Sequence, residues 1–243
     1  MEEVLRPENF CVSYTGERES LDVVKTQAAG VKKVLFNGQK PEPVKQAPCV
    51  KKNEAFKTSG QVQYVAQNGN FRKKGLEYTG ALEILKVILS YDYLWINLRV
   101  KGGAYGCMSG FKRNGESFLV SYRDPHLKRT LEVYQGVPDY IRAFEADERE
   151  MTKYIIGTIS NKDVPRTPQM QGSISKTAYF SNVTEDMLQK ERNQILGAQK
   201  DDIQKLAALV EAVLSDDQIC VVGSETAIEK AEDVFMEVKP LIG

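Results

Sequence analysis

The chain has 243 residues, 42% hydrophobic and 27% charged, with 33 basic residues balanced by 33 acidic ones. That describes one large domain, or one domain with an appendage, and it excludes disordered, collagenous and disulfide-stapled chains. Zero net charge and a pI near 6.6 remove the long-range attraction to phosphate, so no nucleic-acid partner is expected.

The N-terminus, MEEVLRPENF, carries early acids and no apolar run, so it reads as neither a secretory signal nor a transit peptide. Residues 9 to 36 read as a strand, FCVSYTG, followed by a helix from about Ser20, its N-cap, with Leu21, Val24, Ala28 and Val31 at helical spacing. The next segment, 37–58, holds Pro41, Pro43 and Pro48 among lysines and reads as a linker. In QVQYVAQ, Val62, Tyr64 and Ala66 alternate with Gln61, Gln63 and Gln67, which predicts an antiparallel strand with its glutamine side wet. From about Leu76 to Leu98 the chain is apolar nearly all round, with Glu83, Lys86, Ser90 and Asn97 in one narrow stripe. Charges inside that stretch mark a buried helix, not a membrane span, and no membrane partner is expected.

AYGCMSGF and ESFLVSYR flank Asn114-Gly115, a strong hairpin signal. Asp124-Pro125 is read as the start of a helix to about Glu145, and a further helix runs from near Asp147 to before Pro165. The acidic run Glu145 to Glu150 reads as a solvated helix junction. Ile203, Leu206, Ala207, Val210, Val213 and Leu214 mark one more apolar helix face. Finally, a strand Ile219 to Ser224 precedes a helix from about Glu225 to Val238 bearing Ile228, Ala231, Phe235 and Val238. This last pair parallels the strand-helix at 9–36, either by chance or because each closes a domain. In the second case residues 1–36 end a preceding domain and 59–243 form the C-terminal one. The fold class expected is α+β, an antiparallel or mixed sheet with helices over one face.

His126 is the only histidine. A hydrolytic zinc site commonly takes two or three histidines and a serine triad needs one as base, so two-histidine zinc chemistry cannot be assembled from this chain alone. His126 itself reads as a capping or surface residue. Cys11, Cys49, Cys107 and Cys220 match no metal-binding or C-x-x-C spacing and read as reduced, mostly buried small hydrophobes. A reducing compartment is expected, the cytoplasm or alternatively an organelle matrix.

The most unusual string is Arg99-Val-Lys-Gly-Gly-Ala-Tyr-Gly106. Gly102, Gly103 and Gly106 allow a sharp turn and the close approach of another chain. Arg99 offers a fork of donors for a peptide carbonyl or carboxylate, and the Tyr105 hydroxyl suits an oxygen gaining negative charge. Two plainer readings stay open: Arg99 covering a helix end, and Tyr105 as sheet packing. Lys101 reads as solvated, or as a lysine that steers acidic peptides.

This string resembles the C-terminal half of the pitrilysin, or insulinase, zinc metallopeptidases, in the presequence protease branch. The likeness extends over LWINLRVKGGAYG, GF…FLVSYRDPHL and IIGTISNKDVPRTP, in order, and covers roughly residues 60 to 243. It implies a LuxS/mitochondrial-processing-peptidase-like metallohydrolase fold, one of four homologous domains forming two halves around a peptide chamber. It further implies zinc on an H-x-x-E-H motif in the N-terminal half, and an arginine and a tyrosine six residues apart in the C-terminal half. Here these are Arg99 and Tyr105, with Gly102, Gly103, Ala104 and Gly106 as substrate-binding backbone. The chain has no H-x-x-E-H, so no cofactor is expected in it and alone it is expected to be inactive.

The function implied is a substrate-binding, active-site-completing domain of a zinc metalloendopeptidase for unstructured peptides. Its partners would be the N-terminal half of the same enzyme and peptide substrates, with homodimerisation of the isolated fragment through surface meant for missing neighbours. The alternatives are a non-catalytic peptide-binding or structural subunit of the same fold, and a freestanding interaction module.

Overall fold

The computed structural model describes residues 4–39, 50 and 52–242, so Cys49 and most of the prolines and lysines of the expected linker lie outside the described residues. Two compact units are present, one formed by residues up to 39 with 164–188, the other by the remainder.

In the first unit, helix α1 (Leu21–Val34) carries no fully buried residue, and Leu21, Val24 and Ala28 are half-buried on one side. Ser20 makes no side-chain cap, because it closes a tight 3-10 turn over Arg18–Ser20 and is itself helical. The expected strand at FCVSYTG does not form; Phe10–Thr15 has no regular structure. Within this unit a Cβ on Gly172 would strike the Thr15 hydroxyl, so the segment runs close to the backbone of a second helix. Arg6 is buried and donates to the carbonyls of Gly38 (2.9 Å) and Gln39 (3.3 Å), which ties the two ends of the segment together.

The second unit is a six-stranded mixed sheet with helices, the α+β class expected. Its strands are β1 (Glu54–Thr58), β2 (Gln63–Asn70), β3 (Gly106–Phe111), β4 (Glu116–Asp124), β5 (Gln218–Ser224) and β6 (Glu237–Pro240). Their order is β3-β4-β2-β5-β1-β6, antiparallel from β3 to β5 and parallel from β5 to β6. The helices are α2 (Ala81–Ile88), α3 (Lys128–Gln135), α4 (Val137–Arg142), α5 (Glu148–Lys162), α6 (Pro168–Phe180, the second helix of the first unit), α7 (Glu185–Leu196), α8 (Lys200–Gln204), α9 (Ala207–Leu214) and α10 (Glu225–Glu229). Ile203, Leu206, Ala207, Val210, Val213 and Leu214 are all buried, as their spacing required.

Several expectations are corrected. In β2 the phase is inverted: Gln63, Val65 and Gln67 face the core and Tyr64 is exposed. Val65 decides the phase, packing between Ser121 and Val221 on neighbouring strands, and the side-chain oxygens of the glutamines beside it accept hydrogen bonds, while Gln67 Nε2 has no partner among the described residues. Gln63 accepts from Ser224 N–H (2.8 Å), and Gln67 accepts from the Gln135 amide (3.3 Å).

The expected helix from Leu76 begins only at Ala81 and then widens into two π segments, Leu89–Tyr93 and Trp95–Val100. Its polar edge is broader than one stripe, since Tyr91, Trp95, Ile96 and Val100 are exposed. Asp124 caps a turn rather than a helix at Pro125, taking His126 N–H (2.9 Å) and the Thr130 hydroxyl (2.7 Å), so α3 starts three residues later. Gly136 then divides it from α4, which carries Pro138 in its first turn. Asp147 does cap α5, in a reciprocal capping box with Glu150.

The last expected helix stops at Glu229, and residues 237–240 become β6 instead, parallel to β1. Asn53 directs this by accepting both Met236 N–H (2.7 Å) and Glu237 N–H (3.2 Å) on its carbonyl. Cys11 is exposed and Cys107 and Cys220 are half-buried, all three as free thiols, so the cysteines are less buried than expected.

Candidate functional site

The string 99–106 joins the end of the π helix to edge strand β3. Lys101 N–H still bonds the Ile96 carbonyl (2.9 Å), the wide i to i+5 spacing of a π turn. Gly103 then takes φ +80°, a left-handed conformation that ends the helix, while Gly103 N–H and Ala104 N–H bond the Arg99 and Leu98 carbonyls, each at 2.9 Å. Gly102 is glycine because a Cβ there would collide with the Leu98 carbonyl. Gly106 is glycine because the ring of its cross-strand neighbour Tyr122 lies over it. Of the four expected substrate-binding positions only Gly103 is exposed; Gly102, Ala104 and Gly106 are buried.

Arg99 and Tyr105 are both exposed, on either side of this turn. The Arg99 guanidinium carbon sits 4.0 Å from the centre of the Trp95 ring, one helical turn earlier. Tyr105 is 60% exposed, which leaves it open to a ligand. It meets the Tyr122 ring edge-on at 5.6 Å, and the Arg123 guanidinium lies 5.6 Å from its ring centre. Half-buried Cys107 sits next along β3, where burial pushes its thiol up to about 11 while the nearby Arg99 charge pulls the other way. At that value Cys107 is a thiol at neutral pH, a packing residue and not a nucleophile.

Arg123 was not legible as a site residue. The register between β2 and β4 shifts between Gln63 and Val65, a β-bulge, and Arg123 takes φ +51° there. The bulge turns Tyr122 and Arg123 toward Tyr105, and Tyr105 N–H bonds the Arg123 carbonyl (3.3 Å). Trp95 was likewise missed, since its placement depends on the π turns. Lys101 is exposed, and Arg129 donates to the Lys101 carbonyl (3.1 Å), which anchors the turn to α3. His126 is exposed and makes its backbone bond to Asp124.

Among the described residues no group of three or more His, Cys, Asp and Glu could hold a metal ion. With one histidine in the chain, its side chains do not fit a catalytic zinc. No helix among the described residues is long and apolar enough to cross a membrane.

A family model for the PreP C-terminal domain matches residues 53–225. The protein HypA of Clostridium perfringens is 43% identical over 234 residues, 96% of this chain and 24% of that protein. Presequence protease 1, chloroplastic/mitochondrial, of Arabidopsis thaliana is 34% identical over 192 residues, 77% of this chain and 18% of that protein. The chain therefore spans less than a quarter of the length of either relative. Among solved structures, the peptidase M16 inactive domain from Pseudomonas fluorescens matches with a TM-score of 0.55 at 17% identity, over 92% of this chain and 52% of that one. Pitrilysin matches with a TM-score of 0.52 at 19% identity, over 82% of this chain and 22% of that one. These two likenesses are of fold.

Proposed function

The chain belongs to the PreP C-terminal domain family, and from that premise we propose that it is the substrate-binding, active-site-completing domain of a metalloendopeptidase for unstructured peptides. The observation that carries this reading is the exposure of Arg99 and Tyr105 on either side of one glycine turn, each backed by a ring, Trp95 and Tyr122. In this reading the sheet unit forms the catalytic protein's C-terminal domain, starting at β1 rather than at residue 59 because residues 54–58 of the expected linker pair with β5 and β6, and residues 1–36, which group with 164–188, close the domain before it. The zinc belongs to an N-terminal half outside this chain, because the donor set here does not fit it.

The chain's own contribution follows from its chemistry. The Tyr105 hydroxyl donates a hydrogen bond to the substrate carbonyl oxygen, and that bond strengthens as the oxygen gains negative charge during hydrolysis. Arg99 holds a neighbouring peptide carbonyl with its fork of donors, oriented by the Trp95 face. The free side of edge strand β3 offers the backbone groups that keep a peptide extended.

The test is Tyr105→Phe in the full-length protein. Loss of one preorganised donor lowers kcat by roughly 10²- to 10³-fold with an unchanged fold; an unaltered kcat rejects the role. Arg99→Ala raises KM as well, and a normal KM with a normal kcat rejects its role.

A further inference from the structure

We propose that the corner formed by Arg99, Lys101 and Arg123 binds a carboxylate of the peptide, which makes carboxylate-bearing peptides the preferred ligands of the site. This rests on the peptide-binding reading above and adds the ligand chemistry to it.

The observation is a local charge imbalance in a chain whose total charge is zero. Some cations elsewhere have carboxylates beside them, as Lys128 has Asp233, Arg192 has Asp163 and Lys200 has Glu145, while single exposed lysines such as Lys86 and Lys230 make no ion pair among the described residues. Among the described residues, Arg99, Lys101, Arg123 and Arg129 have no carboxylate within 4 Å. Asp124, next to Arg123 in the chain, is 1% exposed and already accepts from His126 and Thr130. It lies out of reach of a ligand.

Two of the three cations, Arg99 and Arg123, are also held in place. Arg99 rests on Trp95, Arg129 is spent on the Lys101 carbonyl, and the β-bulge holds Arg123 in a left-handed conformation beside Tyr105. Such a conformation is disfavoured for any residue with a Cβ, so the pairing register of β4 imposes it. In the proposed site Arg99 on Trp95 and Arg123 beside Tyr105 supply donors from the two sides of the glycine turn that carries Lys101, and the two rings supply an apolar wall. That suits a carboxylate attached to a peptide. A nucleic acid would call for a longer basic stripe on a positively charged chain.

Trp95 is the only tryptophan, so its fluorescence reports directly on this corner. The chain is titrated with three short peptides of one neutral sequence: one with a free C-terminus, one amidated with a central glutamate, and one amidated without any acid. The first two are expected to bind about tenfold tighter than the third, and the tighter of them identifies the source of the carboxylate. The difference shrinks in about 1 M salt and disappears in a Lys101→Ala/Arg123→Ala double variant with an unchanged circular dichroism spectrum.

Equal affinities for the three peptides, or binding by none, overturns the proposal. Tighter binding of a short thymidine oligonucleotide also overturns it, in favour of a nucleic-acid surface. Because no cleavage is measured, the outcome is separable from the kinetics of Tyr105→Phe. Equal affinities together with the expected loss of kcat would remove the carboxylate site and keep the peptidase reading.

Discussion

The Arg99 guanidinium and the Trp95 ring stack at 4.0 Å across one turn of a π-widened helix, both at the surface. An exposed cation–ring pair contributes about 0.5–1 kcal/mol, mostly by restricting where the cation points. In the full-length protein Trp95→Ala is expected to raise KM for peptide by roughly two- to fivefold with little change in kcat. Trp95→Phe, which keeps a ring face, retains most of the affinity. Steady-state kinetics on the two variants checks this, and equal KM values for Ala and Phe would remove the ring from the account.

Gly103 and Gly30 predict opposite outcomes for the same substitution. Gly103 has φ +80°, where an L side chain costs about 1–2 kcal/mol, so Gly103→Ala should lower stability by that amount. Gly30 lies inside α1 with open space around it, and there alanine is the better helix former by up to about 1 kcal/mol. Denaturant unfolding of both variants measures the contrast.

Where one pattern dominated, the sequence was a sound guide: the Asn114-Gly115 hairpin, the Asp147 cap and the apolar face from Ile203 to Leu214. It misled where two patterns competed. In β2 the glutamines outnumber the apolar residues on their side, yet Val65 sets the phase because partners for Gln63 and Gln67 come from Ser224 and Gln135, far away in the chain. The helical spacing of Val238 gave way to pairing with β1, and Phe235 and Val238 both still pack on the core. Of the candidate site, Arg99, Tyr105 and the need for Gly103 were legible locally. Arg123 was not, since its bulge exists only in the register of β4 against β2.

Arg113, in the hairpin turn, holds Glu191 of α7 through two hydrogen bonds of 2.5 Å. Glu191 is nearly buried while Arg113 remains 36% exposed, so water screens part of the interaction. Arg113→Ala leaves a buried carboxylate without its fork and is expected to cost about 2 kcal/mol, below the range for fully buried pairs. Arg113→Lys recovers only part of this, because an ammonium cannot reproduce the paired geometry. Chemical denaturation of the two variants decides it.

Glu237 on β6 accepts from Lys239 and from Lys52, and these bonds pull its carboxyl from the ordinary 4.5 down to about 2. A depressed carboxyl stabilises the folded state above its ordinary value, and the contribution fades as pH falls from about 4.5 toward 2. Wild type and Glu237→Gln should therefore differ in Tm by a constant amount at neutral pH. The difference should narrow below pH 4.5. A gap that widens on acidification would contradict the assignment.

Three serines on the core side of the sheet separate hydroxyls that stabilise from one that does not. Ser109, Ser117 and Ser121 are each at most 3% exposed. The Ser117 hydroxyl donates to the Gly115 carbonyl (3.2 Å) and the Ser121 hydroxyl is hydrogen-bonded to the Tyr134 side chain, whereas the Ser109 hydroxyl has no hydrogen-bond partner among the described residues. A buried hydroxyl without a partner carries its desolvation cost and no compensating bond, so replacing it by a methyl removes a penalty. Ser109→Ala is expected to stabilise the protein by up to about 1 kcal/mol, and Ser117→Ala and Ser121→Ala each to destabilise it by a similar amount. Because side-chain volume hardly changes, packing contributes little to the comparison. Melting temperatures of the three variants suffice to test it, and a loss of stability in all three would mean that Ser109 too is satisfied within the core.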